Sequence, residues 1–167
     1  MSDLYVSWEQ YHQQIERLAS TVYQSGWQFN QIVCLAKGGL RVGDIFSRLF
    51  HQPLAILSAA AYGGEDNRRC GEVIFSKHLS MTAESLGNRV LLVDDLVDSG
   101  ITLDKAIDWL REYHAEEIEK IRTAVIWYKA CSRLKPDYYL EYLPDNPWIH
   151  QPFEIYESRM LIRNCTT

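Results

Sequence analysis

The chain has 167 residues, of which 47% are hydrophobic and 23% are charged, a composition that predicts one globular domain over residues 1–167. Its formal net charge of −5 gives it no basic surface for nucleic acid, and no stretch is long and apolar enough to span a membrane. The N-terminus lacks the apolar core of a signal peptide, and the four cysteines show no Cys-x-x-Cys spacing. We therefore expect a cytoplasmic protein with reduced cysteines that interacts with neither nucleic acid nor membranes.

The first half of the chain alternates helical and extended patterns. Ser7 and Gln10 fit a capping box, after which apolar residues recur at helical spacing until Gly26 offers a stop. Residues 62–85 are polar and irregular apart from one short strand. The predicted elements are, in order, a helix between Ser7 and Gly26, a strand over 32–36, a helix marked by Val42, Ile45, Phe46 and Leu49, a strand over 53–57 and a strand over 73–76.

Residues 90–102 carry the most informative pattern in the chain. They read Val-Leu-Leu-Val-Asp-Asp-Leu-Val-Asp-Ser-Gly-Ile-Thr, which predicts a buried strand ending in an acidic pair and followed by a small polar loop. This order of elements is typical of a phosphorylated-sugar site at the C-terminal edge of an open α/β sheet. A helix begins after the loop, and its apolar face is formed by Leu103, Ala106, Ile107, Leu110 and Tyr113.

Each part of this pattern suits a sugar phosphate. The adjacent carboxylates of Asp94 and Asp95 can accept hydrogen bonds from two vicinal ribose hydroxyls, or help to hold a divalent cation. The loop over residues 98–102 opens a helix, so its free backbone N–H groups and the helix dipole favour an anion. Two hydroxyl side chains in the loop add donors, and Gly100 permits a positive φ or the close approach of a ligand.

Two alternative interpretations use fewer of these residues. An acidic pair after an apolar run also occurs in the Walker B motif, but the phosphate loop Gly-x-x-x-x-Gly-Lys-[Ser/Thr] that must accompany it is absent. Asp98 or Thr102 alone is typical of a helix cap. Capping does not require the preceding acidic pair, so the joint pattern favours the sugar-phosphate site.

The second half of the chain completes the predicted sheet. Strands are predicted over residues 121–128 and 138–142, after the helix that follows residue 102. Strands that alternate with helices in this way predict an α/β fold, with an open, mostly parallel sheet and flanking helices on both faces.

Two lysines follow predicted strands and are further candidates for ligand binding. Lys37 precedes Gly38 and Gly39, a combination of positive charge and close backbone approach that suits a diphosphate, although an ordinary β–α turn with a solvated lysine has the same pattern. Lys129 ends the strand over 121–128, where ligands collect in such sheets, although a lone lysine there is also typical of a solvated strand end. Trp148 suits either surface packing or a flat platform for a base.

Residues 90–102 match, nearly residue for residue, the phosphoribosyl-diphosphate (PRPP) motif, so the chain resembles the type I phosphoribosyltransferases. The resemblance implies their open, mostly parallel α/β sheet with a small hood or lid, here residues 62–85. It implies that the acidic pair contacts the ribose hydroxyls and Mg2+, that the loop holds the 5′-phosphate, and that the first lysine and its glycines hold the diphosphate. The PRPP residues so implied are Lys37, Gly38, Gly39, Asp94, Asp95, Asp98, Ser99, Gly100, Ile101 and Thr102.

The C-terminal third is similar to the 6-oxopurine branch of the family. This similarity implies that Lys129 contacts the purine 6-oxo group, that Trp148 stacks on the ring and that Ile149 offers backbone carbonyls to the exocyclic position. It also implies that Asp95 contacts the metal and that Glu154 approaches it indirectly. In the lid, the chain has Ala-Tyr at residues 61 and 62, where the family often has a Ser-Tyr pair.

The resemblance implies an enzyme that transfers ribose 5-phosphate from PRPP to xanthine, guanine or hypoxanthine and releases diphosphate, as in purine salvage. Asp98 is the candidate catalytic residue, Mg2+ the expected cofactor, and PRPP and a purine base the expected partners. A homo-oligomer, dimeric or tetrameric, is expected from family behaviour. The alternatives are a regulator of the same fold that senses PRPP or nucleotides, and a transferase for another base.

Overall fold

The computed structural model describes residues 3–62 and 72–158, apart from the side chains of residues 61, 62 and 158. Twelve elements lie in these two segments. They are β1 (Leu4–Tyr5), α1 (Trp8–Gln24), β2 (Gln31–Ala36), α2 (Leu40–Phe50), β3 (Leu54–Tyr62), β4 (Glu72–Phe75), β5 (Arg89–Val97), α3 (Ile101–Tyr113), β6 (Lys120–Lys129), β7 (Tyr138–Leu143), β8 (Ile149–His150) and α4 (Glu154–Ser158).

Six strands form the central sheet in the order β4-β3-β2-β5-β6-β7. All neighbouring pairs are parallel except β3 and β4, which are antiparallel at one edge. A second, two-stranded sheet joins β1 to β8 in parallel. The predicted open, mostly parallel sheet with flanking helices is therefore confirmed.

The helices cover both faces of the sheet, as the alternation of side chains along the strands requires. In β2, Ile32 and Cys34 pack in the core beneath α1 and α2, whereas Val33 and Leu35 pack in the core beneath α3. All four side chains are buried, so β2 reads as an uninterrupted apolar run rather than an alternating one. None of the helices in the described residues has the length and the hydrophobicity that a membrane span requires.

The first helix begins and ends where the sequence predicts. The Gln10 N–H donates to Ser7 Oγ at 3.2 Å, and the Ser7 N–H donates to Gln10 Oε1 at 2.9 Å, which completes the capping box. The chain leaves the helix at Gly26, whose φ of 71° lies in the left-handed region that glycine adopts freely.

Strand β5 is longer than the sequence predicts. It pairs with β2 only as far as Val93, but its pairing with β6 continues to Val97. Asp94 and Asp95 therefore lie within the strand, at the point where β5 separates from β2, and not at its end. The opening between these two strands gives the acidic pair access to a cavity while β6 still holds the backbone.

Other predicted features differ more modestly from the structure. Strand β3 runs on to residue 62, and Tyr113, predicted on the buried face of α3, is 59% exposed. The sequence does not indicate β1, β8 and α4, because two- and five-residue elements are too short to show a period. Residues 63–71 of the predicted lid, and Cys70 and Cys165, lie outside the described residues.

Candidate functional site

Three chain segments with polar side chains meet at one edge of the sheet. Lys37 follows β2, the acidic pair lies near the end of β5, and Lys129 is the last residue of β6. These strands are parallel neighbours, so their C-terminal ends share an edge. The Lys129 Nζ lies 3.1 Å from Asp98 Oδ2, which brings the end of β6 into direct contact with the loop after β5.

The acidic pair is held by its own backbone and by one distant side chain. Asp94 Oδ1 accepts the Asp95 N–H at 2.9 Å, and Asp95 Oδ1 accepts the Leu96 N–H at 2.8 Å. The second oxygen of Asp95, Oδ2, accepts a hydrogen bond from Gln151 Nε2 at 2.6 Å. Burial raises the pKa of both carboxyl groups, and the charge of Asp95 raises the pKa of Asp94 further. Cations and hydroxyl donors that relieve this buried charge therefore fit the pair.

The loop after β2 packs directly on the acidic pair. A Cβ on Gly38 would lie 2.5 Å from Asp95 Oδ1, and a Cβ on Gly39 would lie 2.7 Å from the Val93 carbonyl oxygen. Both positions thus exclude any larger residue, and the peptide bond before Lys37 is cis. The Gly39 N–H donates to the Leu35 carbonyl at 2.8 Å, so the structure gives this glycine a packing role.

A cavity of about 200 Å³ opens between this loop, β3 and the acidic pair. Its polar lining comes from Lys37, Gly38, both carboxylates of the pair and Thr102. A second cavity of about 140 Å³ lies beside it, lined mainly by residues 96–100 and sharing Asp94 and Thr102 with the first. The two cavities thus run from the loop after β2 to the loop after β5.

The loop after β5 leaves the N-terminus of α3 without a capping side chain. Gly100 occupies the N-cap position with a φ of 79°, and neither Asp98 nor Thr102 caps the helix. A Cβ on Gly100 would also lie 2.5 Å from Ser132 Oγ, so both conformation and space require glycine here. The helix-cap interpretation of Asp98 and Thr102 is therefore wrong. The Ile101 N–H makes a long hydrogen bond of 3.4 Å to Ser99 Oγ, and the next amides of the first turn of α3 remain available to an anion.

Lys129, Asp98 and Trp148 form a second group beside the loop. Lys129 is only 5% exposed, although it carries a charge. Its Nζ lies 3.1 Å from Asp98 Oδ2 and 5.9 Å from the centre of the Trp148 ring, which is 44% exposed. The alternative interpretation of Lys129 as a solvated residue at a strand end is thus wrong, since a buried ammonium requires partners of this kind.

The residue after the tryptophan is fixed by pairing with the start of the chain. The Trp148 carbonyl accepts the Leu4 N–H at 2.8 Å, and the His150 carbonyl accepts the Val6 N–H at 3.0 Å. Since successive carbonyls along a strand point to opposite sides, the Ile149 carbonyl is directed away from β1. Ile149 as a whole is buried, with 4% of its surface exposed.

Of two polar residues near the end of the described chain, Gln151 contacts the acidic pair, whereas the contact of Glu154 is with His150. Glu154 Oε2 lies 3.3 Å from His150 Nδ1, and this contact is the ion pair that the structure gives Glu154. Gln151, which the sequence does not indicate as a site residue, is 7% exposed and donates to Asp95. A neutral amide gives no sequence signal of its own, and only its place between Trp148 and Glu154 could have indicated it.

The acidic pair fits a divalent cation that a substrate helps to bind. The described residues contain no group of three or more His, Cys, Asp or Glu side chains that could hold a metal by themselves. Mg2+ commonly takes one or two carboxylates and completes its octahedron with water and substrate phosphate oxygens. Two adjacent carboxylates beside a phosphate-sized cavity match that donor set.

Comparison with known proteins extends these observations to the whole described chain. A family model described as a phosphoribosyl transferase domain matches residues 7–158. A xanthine-guanine phosphoribosyltransferase of Gluconobacter oxydans is 27% identical over 150 residues, 89% of this chain and 83% of that protein. One from Idiomarina loihiensis is 25% identical over 155 residues, 92% of this chain and 88% of that protein. The structure of a purine phosphoribosyltransferase from Pyrococcus horikoshii matches with a TM-score of 0.74 at 25% identity, over 92% of this chain and 94% of that chain.

Proposed function

The chain belongs to the phosphoribosyltransferase family, and we propose that it transfers ribose 5-phosphate from PRPP to a 6-oxopurine base with release of diphosphate, a reaction of purine salvage. The observation that carries the proposal is the 3.1 Å contact between Lys129 and Asp98. This contact connects the loop over residues 98–102, where a phosphate would bind, to the buried ammonium of Lys129, which lies beside the exposed indole ring of Trp148. The names of the relatives, which include xanthine, guanine and purine, support the same class of base.

The PRPP side of the site comprises Lys37, Gly38, the acidic pair and the loop over 98–102. The carboxylates of the pair accept hydrogen bonds from the two ribose hydroxyls, and the amides and hydroxyls of the loop donate to the 5′-phosphate. Lys37 and the Gly38 backbone face the cavity in which the diphosphate would lie. Asp94 and Asp95 would hold Mg2+ together with PRPP, and the ion supplies positive charge that neutralises the leaving diphosphate.

The base side comprises Lys129, Trp148 and Ile149. Lys129 offers only donors, which suits the acceptor at position 6 of an oxopurine. The indole of Trp148 provides a flat apolar surface for the ring, and the Ile149 carbonyl accepts from the exocyclic position. Because Lys129 is buried, no water can take the place of a missing acceptor, and a base that leaves the ammonium unpaired therefore binds with a free-energy penalty.

Asp98 lies between the two sides and is the proposed catalytic residue. Its side chain is 57% exposed, so a bound base can reach it directly. The carboxylate accepts the proton from purine N7, and its charge stabilises the oxocarbenium-like sugar that forms as the bond to diphosphate breaks.

The test is a screen of bases with PRPP and Mg2+ in which release of diphosphate is followed. We expect turnover of at least one of hypoxanthine, guanine and xanthine, and a kcat/KM for adenine lower by ~10⁴–10⁵, since adenine sets a donor against the Lys129 ammonium. Lys129→Met should abolish most of this preference together with activity. Efficient turnover of adenine by the unmodified protein would refute the assignment of Lys129 and the 6-oxopurine proposal.

A further inference from the structure

Both carboxylate oxygens of Asp98 have a partner within the protein. Lys129 Nζ lies 3.1 Å from Oδ2, and Cys131 Sγ lies 3.2 Å from Oδ1. The same sulfur lies 3.6 Å from the Asp98 backbone carbonyl, so the thiol contacts this residue at two points. Asp98 is thus held from both sides by residues of one short segment at the end of β6.

The backbone of Cys131 is anchored independently of Asp98. Its N–H donates to Asn146 Oδ1 at 2.9 Å, and Asn146 adopts a φ of 49° in the loop that leads to Trp148. Cys131 lies two residues after Lys129, at the turn where the strand has ended. Because the Cys131 backbone is already fixed by this hydrogen bond, its exposed side chain loses little further conformational entropy when it contacts Asp98.

The charged groups that face the thiol favour its protonated form. Partial burial, the hydrogen bond to Asp98 and the negative charge of Asp98 raise the pKa of the Cys131 thiol, in that order, and Lys129 opposes them. Asn146, the other polar group in contact, is neutral. A protonated thiol is a hydrogen-bond donor, which is what the Asp98 carboxylate needs.

We propose that Cys131 is a positioning residue that holds Oδ1 of Asp98, so that Oδ2 faces purine N7 when Lys129 engages the 6-oxo group. The role rests on the proposed function, because it concerns the residue proposed to accept the N7 proton. In the unliganded site both partners share the carboxylate. When a base occupies the site, the ammonium has a second acceptor, and the thiol remains as the fixed contact.

The first experiment compares Cys131→Ala with Cys131→Ser under saturating PRPP and base. Because a single hydrogen bond is worth a factor of about two to ten, Cys131→Ala should lower kcat by that amount and leave both KM values unchanged. Cys131→Ser retains a donor and should recover most of the lost activity. The side chain is exposed, so neither variant should change the melting temperature. Equal kcat values for the unmodified protein and Cys131→Ala would overturn the proposal.

A double-mutant cycle with Asp98→Asn tests whether Cys131 affects kcat through the Asp98 carboxylate or through another group. If the thiol acts through the carboxylate, Cys131→Ala should have no further effect on kcat in the Asp98→Asn background. Additive losses would overturn the proposal, because they would show that Cys131 acts through some other group.

A measurement on the thiol itself does not depend on the reaction. Alkylation of Cys131 by iodoacetamide, located by peptide mass mapping, should be faster by about threefold or more in Asp98→Asn than in the unmodified protein, since the thiolate is the reactive form. Asp104→Asn, which removes a carboxylate paired with Arg133 instead, is the matched control and should leave the rate unchanged. An unchanged rate in Asp98→Asn would refute the contact. Failure of the base screen together with a faster rate would refute the proposed function, and with it the role at purine N7, but would leave the contact between Cys131 and Asp98 established.

Discussion

The PRPP side and the base side of the site differ in how the chain builds them. On the PRPP side, the acidic pair, the loop and the start of α3 follow one another within residues 94–102. They are fixed by β5, which lies in the middle of the six-stranded sheet and is buried on both faces. On the base side, Lys129 ends one strand, and Trp148 precedes another that pairs with the first strand of the chain. The residues of the base side thus come from two separate strands, and the second of these strands is held by a segment at the other end of the chain.

This difference places the two sides in parts of the fold with different support. The PRPP side is attached to β5, which pairs with β2 as far as Val93 and with β6 as far as Val97, so its geometry is shared with the core. The partner strand on the base side is held by a two-residue pairing, which is the smaller of the two sheets. We expect changes on the PRPP side to alter sugar-phosphate affinity alone, and changes in β1 to alter base affinity alone. A change of Asp98 should affect both the PRPP side and the base side, because this residue contacts both.

The largest expected effect is therefore that of Asp98→Asn. The change preserves size and most hydrogen bonding but removes charge and basicity, so kcat should fall by ~10²–10⁴ while PRPP still binds. Asp104→Asn makes the same change at a surface ion pair on α3 and should leave kcat near its original value. Steady-state kinetics and PRPP binding by calorimetry measure the two quantities. A near-normal kcat in Asp98→Asn would remove this residue from the catalytic role.

What could be predicted from the sequence follows the same division. Residues 90–102 carry strand, ligand groups and helix start in one contiguous run, so a single pattern predicts all of the PRPP side except Lys37 and Gly38. The extent of β5 beyond Val93 could not be predicted, because it depends on where β2 stops pairing. Gln151 could not be predicted either, since nothing local marks an amide that will lie against Asp95.

On the base side, fewer of the contacts could be predicted from the sequence. Lys129 and Trp148 are candidates from their positions and residue types. Their roles at the base, and that of Ile149, are predicted through a family resemblance, but their surroundings are not. The contact of Cys131 with Asp98 joins residues 33 positions apart, and β1 meets β8 across most of the chain. Such contacts arise from the topology of the whole sheet, so no local period or motif indicates them.

An intermediate effect is expected for Thr102→Val, which sharpens the comparison on the PRPP side. Thr102 lines both cavities of the site, and valine keeps its shape while removing a donor to a phosphate dianion. Charged hydrogen bonds are worth ~1.5–3 kcal/mol, so PRPP affinity should fall roughly ten- to a hundredfold, with the KM for the base unchanged. Thr102→Ser keeps the hydroxyl and should retain most of the affinity. An unchanged dissociation constant for PRPP in Thr102→Val would rule this residue out as a ligand.

The smallest expected effect tests the base side through a residue that touches no substrate. Leu4→Pro removes the N–H that donates to the Trp148 carbonyl at 2.8 Å, and with it one of the hydrogen bonds that hold Trp148 and Ile149 in place. Because one backbone hydrogen bond is worth a factor of about two to ten, the KM for the base should rise by that amount, while the KM for PRPP stays constant. Leu4→Ala is the matched control, since it also removes the leucine side chain but keeps the N–H. Equal base KM values for the proline and alanine variants would show that β1 acts only by packing, and a parallel rise in the KM for PRPP would show that the two sides are not independently supported.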